Sequence, residues 1–132
     1  MRRQFSLPEA DEASLAARRL PWETLIEAGV RWLIVHDFPV PSGYNQDKVL
    51  VAIRIETGYP DAPLDMVYVF PPLARQDGHS IGALSQQRLD GKMYQRWSRH
   101  RTPHNPWRAG EDDLTIHLQL IEYWFEREFR RA

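Results

Sequence analysis

The chain has 132 residues, an apolar share of 42%, no cysteine, and 17 basic against 18 acidic residues for a formal charge of -1. That length fits one domain, residues 1–132, large enough to bury about two thirds of the surface its unfolded form exposes. Lack of cysteine excludes disulfides, cysteine-ligated zinc, iron–sulfur clusters and thiolate mechanisms, and balanced charge argues against coating of nucleic acid or anionic membrane.

In chain order, Ser6-Leu7-Pro8-Glu9 has the spacing of a capping box and predicts a helix over 8–19, with Ser6 capping and Glu9 reaching back. Its apolar face reads as Ala10, Ala13, Ala16 and Ala17 with Leu15 and Leu20. Next, 22–27 and 31–38 read as a hairpin across Ala28-Gly29, because Trp32-Leu33-Ile34-Val35 is rich in strand formers. A second helix over 22–28 is the competing reading.

The breaker-dense loop 39–45 separates strands. Residues 48–56 alternate, placing Val49, Val51, Ile53 and Ile55 on one face of a sheet packed on one side. The turn Gly58-Tyr59-Pro60-Asp61-Ala62-Pro63 leads to a strand over 64–70. From 73 to 110 periodicity disappears, apart from an extended piece over 92–97; stretches of this kind are usually functional or disordered, and Tyr94, Trp97 and Trp107 in its second half favour order.

A final helix follows from Leu114, Leu118, Ile121, Phe125 and Phe129, with Glu111, Asp112 and Asp113 at its positive end and Arg127, Arg130 and Arg131 at its negative end. The expected class is α+β: an N-terminal helix, an antiparallel meander of about four strands, an irregular segment and a C-terminal helix. No apolar run approaches the roughly 20 residues of a membrane span, and the start of the sequence has no secretory signal character. The expectation is a cytoplasmic protein with no membrane partner.

The stretch 49–70, in which a strand runs into Tyr59-Pro60-Asp61-Ala62-Pro63 and then another strand, resembles the central part of ubiquitin-conjugating enzymes. The combination of Asp37-Phe38-Pro39-Val40-Pro41-Ser42-Gly43-Tyr44, that turn, Trp97-Ser98-Arg99-His100, and Trp107 ahead of Asp112-Asp113-Leu114 is similar to the bacterial family E branch over nearly the whole chain. The resemblance implies a ubiquitin-conjugating fold and a place in a bacterial conjugation pathway. Its implied partners are a ubiquitin-like protein and an adenylating activating enzyme, with transfer completed either with or without a separate ligase-like protein; no cofactor is expected, and the five histidines show no convincing metal-ligand spacing. Two departures stand out: the superfamily cysteine is missing, and so is its His-Pro-Asn signature, since His104-Asn105-Pro106 has a different order and lies downstream.

Anchored on Trp107, the resemblance makes Ser98, nine residues earlier, the substitute nucleophile, holding an acyl group as an oxyester. A serine hydroxyl is protonated at neutral pH and needs a base. His100 and His104 are the candidates, and in an extended segment Ser98 and His100 share a face. Arg99, Arg101 or Asn105 can meet oxyanion charge, while Asp112 or Asp113 can orient a histidine or take a proton. Tyr59, Pro60, Trp97 and Trp107 read as packing around the site.

Plainer readings stand beside these. Ser98 can be a loop serine bonding its own backbone, and His100 and His104 can brace loops. His117, on a helix, reads as a hydrogen-bonded structural residue. Loss of the cysteine also fits an inactive scaffold that binds a ubiquitin-like protein or activating enzyme. Finally, 91–110 carries Lys92, Arg96, Arg99, Arg101 and Arg108 with no acidic residue. That segment permits a nucleic-acid-binding reading with Tyr94 and Trp97 as stacking platforms, although nucleic acid is not the expected partner.

Overall fold

The computed structural model describes residues 1–130, so Arg131 lies outside the described residues. The elements are α1 (Glu9–Arg18), β1 (Trp22–Glu27), β2 (Val30–Pro39), β3 (Lys48–Ile55), β4 (Val67–Phe70), β5 (Leu84–Leu89), β6 (Lys92–Trp97) and α2 (Leu114–Arg127). All strand pairs are antiparallel, in the order β1-β2-β3-β4-β6-β5. None of the described helices is long and apolar enough to cross a membrane.

The expected α+β order holds, with six strands instead of about four. The additional pair is a β5–β6 hairpin, in which β6 is the extended piece expected over 92–97; its turn, Asp90-Gly91, has positive φ at both residues (52° and 72°). Such a turn matches the twist of paired strands. Ala28-Gly29 turns β1 into β2 in the same way, at 50° and 76°. Residues 22–28 are therefore strand and turn, and the alternative helix there does not form.

Alternation along β3 lays Val49, Val51, Ile53 and Ile55 against the helices. There they join Leu33 and Val35 of β2, Val67 and Val69 of β4, Leu15 of α1, and Leu118, Ile121 and Phe125 of α2. Each such side chain contributes roughly 1.5–3 kcal/mol on burial. The opposite face of the sheet is also buried, contrary to the one-sided packing expected. Leu25, Trp32, Ile34, Ala52, Tyr68, Leu89 and Tyr94 form a second core there, with Trp32 and Tyr68 edge to face at 4.8 Å.

The covering layer for this second core is the sheet itself, curled so that the β5–β6 turn reaches β1. Arg2 holds Asp90 through two hydrogen bonds (3.0 and 2.6 Å) and Glu23 through a third (2.7 Å). The Asp90 backbone N–H donates to Glu27 at 3.1 Å, and His36 meets the second Glu23 oxygen at 2.5 Å.

Helix α1 differs from expectation in its start and its phase. Pro8 is the N-cap and no side chain caps it. Instead Leu7, buried in the core, donates its N–H to Glu12 at 3.0 Å, which shifts the helix start past Ser6 and leaves the Ser6–Glu9 box unformed. Ala10, Ala13, Ala16 and Ala17 face solvent, whereas Asp11 and Leu15 are buried. The inward polar position is held by bonds: Asp11 accepts the Tyr59 hydroxyl, and Arg18 pairs with Glu122 of α2 at 2.7 Å.

Helix α2 is capped by Asp113, whose side chain accepts from the Ile116 N–H at 3.1 Å. Its last turn carries Arg127, and Phe129 lies just beyond, edge to face with Tyr44 at 4.9 Å.

Candidate functional site

Two irregular segments, 58–66 and 98–113, run side by side below the N-terminus of α2. They are joined where the Met66 N–H donates to the Arg99 carbonyl at 3.1 Å. Met66 has φ +58°, so β4 begins only at Val67 and Asp65 is released from the expected strand. Pro63, Asp65, His100, Arg101, Pro106 and Trp107 contribute to a groove of about 400 Å³ here.

Ser98 follows directly on β6 and is partly exposed. Its N–H donates to the Ala83 carbonyl (3.0 Å), while the next N–H, of Arg99, donates back to Trp97 (2.9 Å). The chain thus turns at Ser98, and residues 98 and 100 do not continue one extended face. Among the described residues no hydrogen bond joins the Ser98 hydroxyl to His100 or His104.

His100 is exposed, and its Nδ1 lies 2.7 Å from Asp65 Oδ2. A carboxylate accepts only, so Nδ1 carries the proton and Nε2 is left as the basic nitrogen. This pairing has the order of a base held by a third group. Sequence reasoning missed Asp65, hidden inside a strand expected over 64–70; a charged residue beside the irregular 98–110 stretch was the only available signal. His104 is exposed and, among the described residues, has no hydrogen-bond partner. Asn105 closes a tight turn, its N–H donating to the Thr102 carbonyl (3.0 Å) and hydroxyl (3.2 Å).

The arginines are committed elsewhere. Arg99 lies over the Trp97 ring at 4.9 Å, faces nearly buried Glu128 at 3.4 Å and donates to the Gly82 carbonyl at 3.1 Å. Arg101 is enclosed between the Trp107 ring at 5.0 Å, Asp112 at 3.7 Å and His117 Nδ1 at 3.5 Å. Burial pulls Arg101 below the ordinary guanidinium range. Of the five basic residues in 91–110, these two are therefore packed against the protein and unavailable for a solvent-facing nucleic-acid surface.

Asp112 accepts the Arg108 N–H at 2.8 Å and Asp113 caps α2; neither is within hydrogen-bonding distance of His100 or His104. Tyr59 and Trp107 pack at 6.2 Å, and the Trp107 indole donates to the Pro60 carbonyl at 3.0 Å. Trp97 is fully buried, its indole donating to Gln95 at 2.9 Å.

His117 is fully buried in the first turn of α2. Its Nε2 donates to the Met66 carbonyl at 2.9 Å, and burial pushes its pKa down to about 4.

The family model described as prokaryotic E2 family E matches residues 7–128. Nothing matches among curated proteins or among solved structures.

Proposed function

The chain belongs to prokaryotic E2 family E, and from that premise we propose that it receives a ubiquitin-like modifier from an adenylating activating enzyme and carries it as an oxyester on Ser98. Membership in the family supports a role of the ubiquitin-conjugating kind; the oxyester and the activating enzyme are the finer part of the proposal. The observation that carries it is the Asp65–His100 pair, which lines the groove, with His100 two residues beyond the partly exposed Ser98.

In this reading Ser98 Oγ attacks the activated carboxyl carbon of the modifier. His100 Nε2 takes the hydroxyl proton, the bond to the activating enzyme breaks, and the proton passes from His100 to the departing group. The ester C–O bond replaces the bond that was broken, so no oxidant or metal is required. Hydrogen bonds between catalytic groups are often long or unformed before substrate binds, and Ser98 is partly exposed. A downstream ligase-like protein or an acceptor amine completes the transfer, in a cytoplasmic setting.

A second reading is a non-catalytic scaffold that holds a ubiquitin-like protein or the activating enzyme. The lack of a hydrogen bond between Ser98 and either imidazole favours it. Incubation with activating enzyme, modifier and ATP separates the two. Catalysis predicts an adduct that survives reducing agent, yields to hydroxylamine or alkali, and is absent in Ser98→Ala. Unchanged mass with modifier still bound points to the scaffold.

A further inference from the structure

We propose that His117 is a positioning residue: from inside α2 it fixes the crossing at which Asp65 and His100 meet. The inference rests on the proposed role of that pair and assigns its geometry to a side chain that touches neither Ser98 nor His100.

Met66 is the intermediary. A non-glycine residue at φ +58° sits in the sparsely populated left-handed region and stays there only when its surroundings hold it. His117 supplies one hold, donating from Nε2 to the Met66 carbonyl at 2.9 Å. The Arg99 carbonyl supplies the other, accepting the Met66 N–H at 3.1 Å. Met66 is thereby pinned between α2 and the segment that carries His100, and its immediate neighbour Asp65 reaches His100 at 2.7 Å.

The other ring nitrogen serves the same groove. His117 Nδ1 accepts from Arg101 Nη2 at 3.5 Å, and Arg101 lies over Trp107 in the groove wall. A carbonyl only accepts and a guanidinium only donates, so both contacts are satisfied together by the neutral ring with its proton on Nε2. A charged ring would turn a second N–H toward Arg101. The charged groups near the imidazole are Arg101 and Asp65, with Asp112 on the far side of Arg101. The Trp124 ring packs edge to face against it at 5.6 Å.

Glutamine at 117 offers an amide NH2 donor and a carbonyl acceptor of similar reach; leucine offers neither. The test compares wild type, His117→Gln and His117→Leu in the free protein, reading nuclear Overhauser contacts between the His100 ring and the Asp65 β-protons. His117→Gln is expected to keep the contacts. His117→Leu is expected to lose them while still melting cooperatively, and its Ser98 adduct should form at least tenfold more slowly than that of His117→Gln. Retention of the contacts in folded His117→Leu overturns the proposal.

Should His117→Leu not fold, the wild-type tautomer decides. Long-range proton–nitrogen spectra at pH 7 must show a neutral His117 protonated at Nε2, and a proton on Nδ1 overturns the proposal. These structural readouts need no conjugation partner, so a failed Ser98 adduct counts against the oxyester and leaves the positioning role to be judged separately.

Discussion

The Tyr59 hydroxyl donates to Asp11, a buried carboxylate in the first turn of α1. One hydrogen bond thus ties the Tyr-Pro turn to the helix that begins the fold.

Replacing Tyr59 by Phe removes the hydroxyl and leaves Asp11 short of a donor, which should cost about 1–3 kcal/mol. Urea unfolding measures it. A cost near zero would show that the bond does not hold the turn.

Burial raises the Asp11 pKa above its ordinary carboxylate value. The folded state therefore binds this proton more tightly than the unfolded state. Its contribution is present at pH below the ordinary value and is lost as pH rises through the raised pKa. Asp11→Asn should flatten that decline in a melting-temperature series from pH 3 upward, and an unchanged slope would place the titration elsewhere.

If His100 is the base and Asp65 its support, His100→Ala should slow Ser98 adduct formation by about 100-fold or more, and Asp65→Asn by a smaller factor. Both side chains are substantially exposed, so stability should change by no more than about 0.5 kcal/mol. Single-turnover kinetics with activating enzyme and modifier checks the rates. Equal rates in all three proteins would remove the pair from the mechanism.

Arg99 and Glu128 form a nearly buried ion pair, with side chains 11% and 5% exposed. Arg99→Ala leaves the carboxylate buried without its partner, for an expected loss of about 3–5 kcal/mol. Arg99→Met with Glu128→Leu should recover most of it. A nucleic-acid role would instead leave stability untouched and change salt-dependent binding.

Gly43 stands at φ +107°, and a Cβ there would lie 2.7 Å from the Phe129 ring. Gly43→Ala should cost about 1–3 kcal/mol through backbone strain and overpacking together. In the Phe129→Ala background the cost should shrink to the backbone part alone, and a double-mutant cycle with no coupling would refute the contact.

The sequence by itself determined what depends on near neighbours. The β1–β2 hairpin, the alternation of β3 and the apolar stripe of α2 follow from local spacing, because side-chain direction repeats every two residues in a strand and every 3.6 in a helix. The β5–β6 hairpin was equally local: Asp90-Gly91 between Leu89 and Lys92 carried its turn chemistry, and the polar run Ser85-Gln86-Gln87-Arg88 concealed it.

The tertiary structure alone decided which polar groups meet. Helix α1 turns its alanines outward because the face it buries is the one carrying Leu15 and Asp11, the latter bonded to Tyr59 from a distant segment. Asp65 and His100 are 35 residues apart, and Met66 and His117 are 51 apart. No spacing rule predicts either encounter. Each arises where two irregular segments cross below a helix end, at a place set by the packing of the sheet against α2.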